Sequence, residues 1–227
     1  MLYIVATPIG NLEDITMRAL RTLKEVDLIA AEDTRNSGIL LKKYEINTRM
    51  ISFHSYSDQR KVDELVEMMI AGKKIALISD AGTPGISDPG FILIRAARAA
   101  GIVVVPIPGP SAFLTALSAS GLPINHFLYL GFLPMKKGRQ TLFGKLQEEE
   151  NTIVFYESPH RMEKTLGDLV KYLPDRRAVV ARELTKIYEE FVEGNPQELL
   201  EYFGKKKPRG EFVVIISGKS QKHHSEE

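Results

Sequence analysis

Short apolar runs alternate with segments of helical spacing along most of the chain. In the first half the runs are mainly apolar, and the run over 75–78 is unbroken, as in a strand covered on both faces of a sheet. They lie over 2–6, 26–31, 50–53, 75–78 and 102–107. Between them apolar residues recur every three or four positions, as at Met17, Leu20 and Leu23. Repeated strand–helix–strand units predict a parallel α/β sheet through about residue 119.

A break follows at Gly121-Leu122-Pro123, and the rhythm then restarts. The pattern predicts strands over 127–132, 152–156, 179–182, 187–192 and 212–217, and helices over 140–149, 160–172 and 196–203. The segment 187–192 alternates more, which favours an antiparallel strand and hence a mixed second sheet. We therefore expect two α/β domains, 1–120 and 121–218, and a disordered polar tail over 219–227.

The loop over 79–90 is the most informative stretch. It follows the apolar strand 75–78 and holds three Gly, two Pro, two Asp, two Ser and one Thr. Glycine lets a backbone approach a ligand closely, and in an open α/β sheet ligands bind at the carboxyl ends of strands. Similar Gly/Pro loops follow the strands ending near Ala6 and Ile107. The pattern favours a binding site over an ordinary surface turn.

A dense polar cluster, Glu32-Asp33-Thr34-Arg35, follows the strand 26–31. Capping of the next helix by Asp33 or Thr34 explains it as well as a functional role does, and the two are compatible.

The composition excludes several kinds of catalytic and metal-binding site. The chain has no cysteine, so it has no thiolate zinc site, no Cys-ligated iron–sulfur cluster and no Cys nucleophile. Thirty basic and twenty-nine acidic residues give a net charge of +1, which disfavours polyanion binding through bulk charge. There is no G-x-G-x-x-G after the first strand and no P-loop. Apolar runs fall far below the roughly 18 residues of a membrane span, so we expect a cytoplasmic protein.

Several motifs stand in a fixed order along the chain: 7–12 (TPIGNL), 31–35 (AEDTR), 79–84 (SDAGTP), 108–112 (PGPSA), 155–158 (FYES), 160–161 (HR) and 181–186 (ARELTK). Together they resemble the ribosomal RNA small-subunit methyltransferase I branch of the tetrapyrrole methylase family. The resemblance covers nearly the whole chain. Family members often carry a small extra carboxy-terminal domain, whereas this chain ends soon after Ser217.

The resemblance implies S-adenosylmethionine bound in a cleft between the two α/β domains, with no metal. It also implies a homodimer and methyl transfer to the ribose 2′-hydroxyl of a cytidine in the decoding region of small-subunit rRNA. Carried over by motif, the cofactor-binding residues are Pro8, Gly82, Thr83, Pro84, Ile86, Ser87, Ser111 and Ala112, with Tyr156, Glu157, Ala181 and Gly210 in the second domain.

A 2′-hydroxyl is a poor nucleophile, so a nearby carboxylate or cation is expected to assist it. The catalytic candidates are Glu32, Asp33, Arg35 and Asp80, with Arg182 and Lys186 second. Two basic clusters are candidates for phosphate contact, with a solvated loop as the alternative for each. They comprise Lys136, Lys137 and Arg139, and Lys205, Lys206, Lys207 and Arg209.

Two other functions stay open at this stage. A methylase acting on a tetrapyrrole or another small molecule shares the cofactor loops and predicts a deep acceptor pocket. A non-catalytic ribosome assembly module predicts RNA binding without turnover.

Overall fold

Two strands near the centre of the first half are buried at every position. They are β2 (Leu28–Ala31) and β4 (Ile75–Ile78), and the computed structural model places them side by side and parallel. The model describes residues 1–54, 59–88, 90–205 and 208–219. Contacts divide the chain into two compact units, Met1–Ser111 and Ala112–Glu227.

The first unit is built on a parallel sheet with helices on both faces. Its other strands are β1 (Leu2–Val5), β3 (Met50–Ser52) and β5 (Val104–Ile107). The strand order is β3-β2-β4-β1-β5, and the pairings are all parallel. The helices are α1 (Met17–Glu25), α2 (Thr34–Lys43), α3 (Gln59–Ile70) and α4 (Gly90–Ala99). The parallel sheet predicted for the first half is confirmed.

Alternate residues of each strand enter different cores. On one face Ile29, Ala31 and Ile78 pack with residues of α1 and α2. On the other, Leu28 and Leu77 pack with residues of α3 and α4. Burial on both faces explains why these strands read as unbroken apolar runs.

Helix starts in this unit follow local capping chemistry. The Thr16 hydroxyl accepts a hydrogen bond from the Ala19 N–H at 3.1 Å and caps α1. Asp33 caps α2 by accepting from the Arg35 N–H at 2.8 Å. Each cap satisfies an N–H that has no partner within its helix, so the helix begins at that residue.

The second unit contains a mixed sheet. Its strands are β6 (Phe127–Phe132), β7 (Thr152–Glu157), β8 (Ala178–Arg182), β9 (Glu190–Gly194) and β10 (Phe212–Ile216), in the order β6-β7-β10-β8-β9. The β6–β7 pair is parallel, and the other pairs are antiparallel. The expected mixed sheet is confirmed. The segment predicted as a strand from 187 forms β9 only from Glu190, because the residues before it form a turn in which Glu183 and Thr185 have positive φ.

The helices of the second unit are α5 (Ala112–Ala119), α6 (Arg139–Leu146), α7 (Met162–Tyr172) and α8 (Pro196–Gly204). Residues of α6, α7 and α8 share one core with Ile153 and Phe155 of β7. Helix α5 contacts β7 and β10. For this reason the compact units divide before α5, whereas the sequence places the domain boundary at 120.

In the expected tail, Lys219 donates its N–H to the Glu149 carbonyl at 2.7 Å, while residues 220–227 lie outside the described residues. Within the described ranges, no helix combines the length and the apolar character needed to cross a bilayer.

Candidate active site

Three loops meet at the carboxyl ends of β4, β1 and β5. Thr7 and Gly82 exchange two main-chain hydrogen bonds, of 2.9 and 3.0 Å. The Thr7 hydroxyl also donates to the Ser79 carbonyl at 3.1 Å, and the Thr83 hydroxyl donates to the Pro110 carbonyl at 3.2 Å. These bonds fix the loop after β4 against the loops after β1 and β5.

Glycines allow this close approach. A Cβ at Gly109 would lie 2.9 Å from the Ala6 Cβ, closer than two such atoms approach. Gly82 has φ +80, a conformation that strains any residue with a side chain. Within the loop after β4, the Asp88 carboxylate accepts hydrogen bonds from the Gly85 N–H at 2.8 Å and from the Gly90 N–H at 2.7 Å. These two bonds close the loop on itself.

The fold brings together most of the cofactor-binding residues predicted in this unit. Pro8, Gly82, Pro84 and Ser111 are buried, and Thr83 is half-buried. The exposed members are Ile86 and Ser87, and Ser87 has a φ of +64 although it is not glycine. Backbone groups gathered at a strand edge, with an exposed isoleucine and an exposed serine beside them, fit a ligand that has both polar and apolar parts.

The predicted catalytic residues form one hydrogen-bonded cluster. The Asp80 carboxylate accepts from the Asp33 N–H at 3.0 Å, and the Asp80 N–H donates to Glu32 Oε2 at 3.3 Å. Arg35 pairs with the Asp33 carboxylate at 2.6 Å and is otherwise exposed. The cluster forms because β2 and β4 are adjacent and parallel, so their carboxyl ends share one edge of the sheet.

The pKa values of two carboxylates in this cluster, Glu32 and Asp33, are shifted in opposite directions. Partial burial raises the pKa of Glu32 above its ordinary value, and the nearby negative charges of Asp80, Asp88 and Asp33 add to the rise. The hydrogen bonds and the charge of Arg35 lower the pKa of Asp33 to about 2. Of these two carboxylates, Glu32 is therefore the better suited to accept a proton.

The residues predicted for the cofactor in the second unit are less available. The Glu157 carboxylate is buried and accepts from the Thr165 hydroxyl at 2.6 Å and from the Ser158 N–H at 2.9 Å. Ala181 is buried in β8. A Cβ at Gly210, which has φ +97, would lie 2.5 Å from the side chain of Glu183.

Tyr156 and Ala112 are each half-buried. Burial raises the pKa of the Tyr156 hydroxyl, so Tyr156 remains neutral. The roles of all four second-unit residues and of Ala112 toward a cofactor stay predictions.

The basic clusters divide into exposed and buried members. Lys136, Lys137, Lys205 and Arg209 are exposed, while Lys206 and Lys207 lie outside the described residues. The structure disfavours Arg139 as a phosphate contact. This side chain is 5% exposed, and its guanidinium donates to Asp168 at 2.7 Å, to the Thr165 hydroxyl at 2.8 Å and to the Pro134 carbonyl at 3.1 Å. It serves the interior of the unit and is not available to a phosphate.

Comparison with known proteins supplies the family. The model of the family "Tetrapyrrole (Corrin/Porphyrin) Methylases" matches residues 1–200. A Thermotoga maritima protein named "Ribosomal RNA small subunit methyltransferase I" is 48% identical over 218 residues, which cover 96% of this chain and 98% of that protein. A relative of the same name from Escherichia coli O157:H7 is 51% identical, with 96% of this chain and 77% of the relative covered.

The chain belongs to the ribosomal RNA small subunit methyltransferase I branch of the tetrapyrrole methylase family.

Solved structures of more distant tetrapyrrole methylases have the same fold. A cobalt precorrin-4 methyltransferase matches with a TM-score of 0.72 at 16% identity, with 95% of this chain and 94% of that chain covered. A uroporphyrin-III C-methyltransferase from Thermus thermophilus, solved in complex with S-adenosyl homocysteine, matches with a TM-score of 0.67 at 19% identity, with 95% and 96% covered. At this identity the likeness shows the fold alone.

In this member of the family, sequence reasoning missed three residues that hold the site together. Asn36 donates to the second oxygen of Asp80 at 3.1 Å, Thr7 joins two loops, and Asp88 closes the loop after β4. Asn36 follows Arg35 directly in the first turn of α2, and this position next to the polar cluster could have indicated its role from the sequence. The contacts of Thr7 depend on strand order, which local sequence does not reveal, whereas Asp88 bonds to Gly85 and Gly90 within its own loop.

Proposed function

We propose that the protein transfers a methyl group from S-adenosylmethionine to the ribose 2′-hydroxyl of a cytidine in the decoding region of small-subunit ribosomal RNA. The observation that carries the proposal is the set of curated relatives named for methylation of this RNA. They are about half identical to this chain, and in the Thermotoga maritima case the match spans nearly the full length of both proteins. The solved tetrapyrrole enzymes share the fold but are only 16–20% identical to this chain, so we do not infer their substrates for it.

The first unit supplies the groups expected to hold the cofactor. Gly82, Thr83 and Pro84 offer main-chain groups beside Pro8, and Ile86 offers an exposed apolar surface. The two main-chain bonds between Thr7 and Gly82 and the Thr83–Pro110 bond hold these groups in place before a ligand arrives, which reduces the entropy lost on binding. When bound, S-adenosylmethionine supplies an electrophilic methyl group on its sulfonium.

The geometry favours Glu32 as the general base. Both oxygens of Asp33 accept from Arg35, and those of Asp80 accept from the Asp33 N–H and from Asn36. Among the described residues no donor reaches Glu32 Oε1, and the pKa of Glu32 is raised. In the proposed reaction Glu32 would take the proton of the 2′-hydroxyl while Asp33, Arg35 and Asp80 position it. S-adenosylmethionine, when bound, would supply the methyl group as its carbon–sulfur bond breaks, and it would leave as S-adenosylhomocysteine.

The exposed cations supply the RNA contacts in this proposal. Lys136, Lys137, Lys205 and Arg209 meet phosphates, and Arg35 contacts the RNA beside the acidic cluster. The partner is the small ribosomal subunit, which places the protein in the cytoplasm. We also propose that it works as a homodimer, which sedimentation at several concentrations tests directly.

Transfer of labelled methyl groups tests the function. The protein is incubated with labelled S-adenosylmethionine and either isolated small subunits or deproteinised small-subunit RNA, and the modified nucleotide is mapped. We expect label on one cytidine ribose of the decoding region. Label on a base, on another region of the RNA, or on no RNA at all would overturn the proposal.

A further inference from the structure

Five aromatic side chains of the second unit form a continuous row, which we call the aromatic row. Phe113 of α5 stacks on Tyr129 of β6 with ring centroids 4.4 Å apart, and Phe127 lies 6.2 Å from Phe113. Tyr156 of β7 contacts Tyr129 at 5.7 Å and Phe132 at 5.5 Å. The ends of the row are open, since Phe127 is 40% and Phe132 is 56% exposed.

A bulge in β6 places Phe132 in this row. Strand residues alternate between the faces of a sheet, so Phe127 and Tyr129 share a face while Leu128 and Leu130 pack toward the core. By simple alternation Phe132 would follow Leu130 into the core. The pairing with β7 shifts between Tyr129 and Phe132, and Gly131 has φ +60. The extra residue turns Phe132 to the face that carries Tyr129 and Tyr156, beyond the part of that face that Phe113 covers, and its ring is exposed.

A basic cavity lies directly after this strand. Its volume is about 260 Å³, and the residues that line it include Met135, Lys136, Arg139, Lys164 and Asp168. Arg139 and Asp168 neutralise each other at 2.7 Å. Lys136 and Lys164 are exposed and form no ion pair with any described residue. The remaining charge of the cavity is therefore positive, which suits an anion.

We infer that the aromatic row and this cavity form a subsite for an unpaired nucleotide segment of the RNA substrate, with a base stacked on Phe132 and a phosphate between Lys136 and Lys164. This inference rests on the proposed function and adds the single-stranded character of the bound segment and the residues that recognise it. Exposed aromatic rings on a sheet stack on unpaired bases, whereas an A-form duplex hides the faces of its bases.

The spacing supports a single bound segment. Phe132 and Lys136 are four positions apart, so at most about 14 Å of extended chain lies between their Cα atoms. A short stretch of single-stranded RNA can span a distance of this size. The opposite edge strand of the same sheet, β9, carries Glu190 and Glu193, which are paired with Arg182 and Arg177. The combination of exposed ring and unpaired cations favours the β6 edge.

Binding of a short, unstructured, fluorescent RNA oligonucleotide tests the subsite. Phe132→Ala is expected to weaken binding about tenfold without changing the salt dependence, because stacking of one base is worth roughly 1–3 kcal/mol and involves no charge. Phe132→Trp keeps the stacking surface and is expected to bind as the wild type does. Lys164→Ala is expected to weaken binding and to reduce the slope of log K against log salt by about 0.7, the value for one phosphate of a single strand.

Matched controls use exposed residues of the same unit away from the subsite. Phe191→Ala removes a ring that is 38% exposed on the opposite edge strand, and Lys145→Ala removes a cation near the end of α6. Both are expected to bind the oligonucleotide normally. Melting temperatures show that each variant is folded.

Several results would overturn the inference. Wild-type protein that does not bind the oligonucleotide, equal binding by Phe132→Ala and wild type, or equal competition by a duplex would each do so. Loss of self-association in Phe132→Ala with unchanged RNA binding would assign the ring to a contact between two copies of the chain. Methyl transfer to small subunits by the wild type is measured in parallel, so failure of the proposed function is seen separately from failure of the subsite.

Discussion

The main-chain N–H of Asp33 donates a hydrogen bond to the carboxylate of Asp80 at 3.0 Å. The two residues are 47 positions apart and leave different strands, β2 and β4. This bond joins the loop that begins the acidic cluster to the loop that we assign to the cofactor. The loop proposed for the cofactor and the proposed proton acceptor Glu32 are thereby held at one edge of the sheet, where a methyl donor and a hydroxyl acceptor could be brought together.

Replacement of Glu32 by glutamine is expected to separate catalysis from binding. Glu32→Gln keeps an oxygen for the Asp80 N–H but cannot take a proton, so the single-turnover rate is expected to fall roughly a hundredfold or more with unchanged affinity for S-adenosylmethionine. Asp33→Asn and Asp80→Asn, which alter positioning groups, are expected to lose less. Normal turnover in all three variants would move catalysis to positioning alone or to Arg182 and Lys186.

The same substitution is expected to raise stability at neutral pH. The pKa of Glu32 is raised in the folded state, so the protonated form contributes stability below the unfolded-state value, and this contribution is lost as pH rises through the folded-state value. Glu32→Gln is therefore expected to melt higher than wild type at pH 8 and to show no such advantage near pH 4. Calorimetry at both pH values measures it.

The control for this pH effect is Glu25→Gln, a change at an exposed residue at the end of α1. Glu25→Gln is expected to melt at the same temperature as the wild type at both pH values. A constant difference between Glu32→Gln and wild type at pH 4 and pH 8 would contradict the assignment of a raised pKa to Glu32.

Gly82→Ala is expected to weaken binding of S-adenosylmethionine more than tenfold. The new Cβ meets only ordinary contacts, at 3.6 Å and beyond, but the φ of +80 adds strain of about 1 kcal/mol that the loop relieves by moving. Gly101→Ala is a matched control, because Gly101 also has a positive φ of +71 and has nothing near its Cβ position. Titration calorimetry compares the two variants. Equal affinities at equal stabilities would remove the loop after β4 from the cofactor site.

Arg139→Ala and Lys136→Ala are expected to fail in different ways although they are three residues apart. Arg139 forms a buried ion pair with Asp168, so its loss leaves a carboxylate without its partner and lowers the free energy of unfolding by about 3 kcal/mol. Lys136 is exposed, so its loss is expected to spare stability and weaken RNA binding in a salt-dependent way. Denaturant unfolding beside RNA titration distinguishes them. A stable Arg139→Ala with weakened RNA binding would restore Arg139 as a phosphate contact.

Much of this protein could be predicted from local sequence. The runs that form β2 and β4 are apolar at every position because both faces of the sheet are covered, and that requirement is visible in the sequence alone. The caps of α1 and α2 follow from Thr16 and Asp33, whose side chains compete for nearby N–H groups. The motifs at the strand ends were also sufficient to indicate the family.

Tertiary structure decided what local pattern does not encode. Strand order brings Asp80 to Asp33 and Glu32, and it makes Asp80 an anchor for both loops while Glu32 retains an oxygen without a described donor. Arg139 is buried although its neighbours Lys136 and Lys137 are exposed, because its guanidinium donates to Asp168 and Thr165 of α7. The bulge in β6 likewise presents Phe132 to solvent. Each outcome depends on contacts between residues far apart in the chain, and such contacts leave no periodic signal in the sequence.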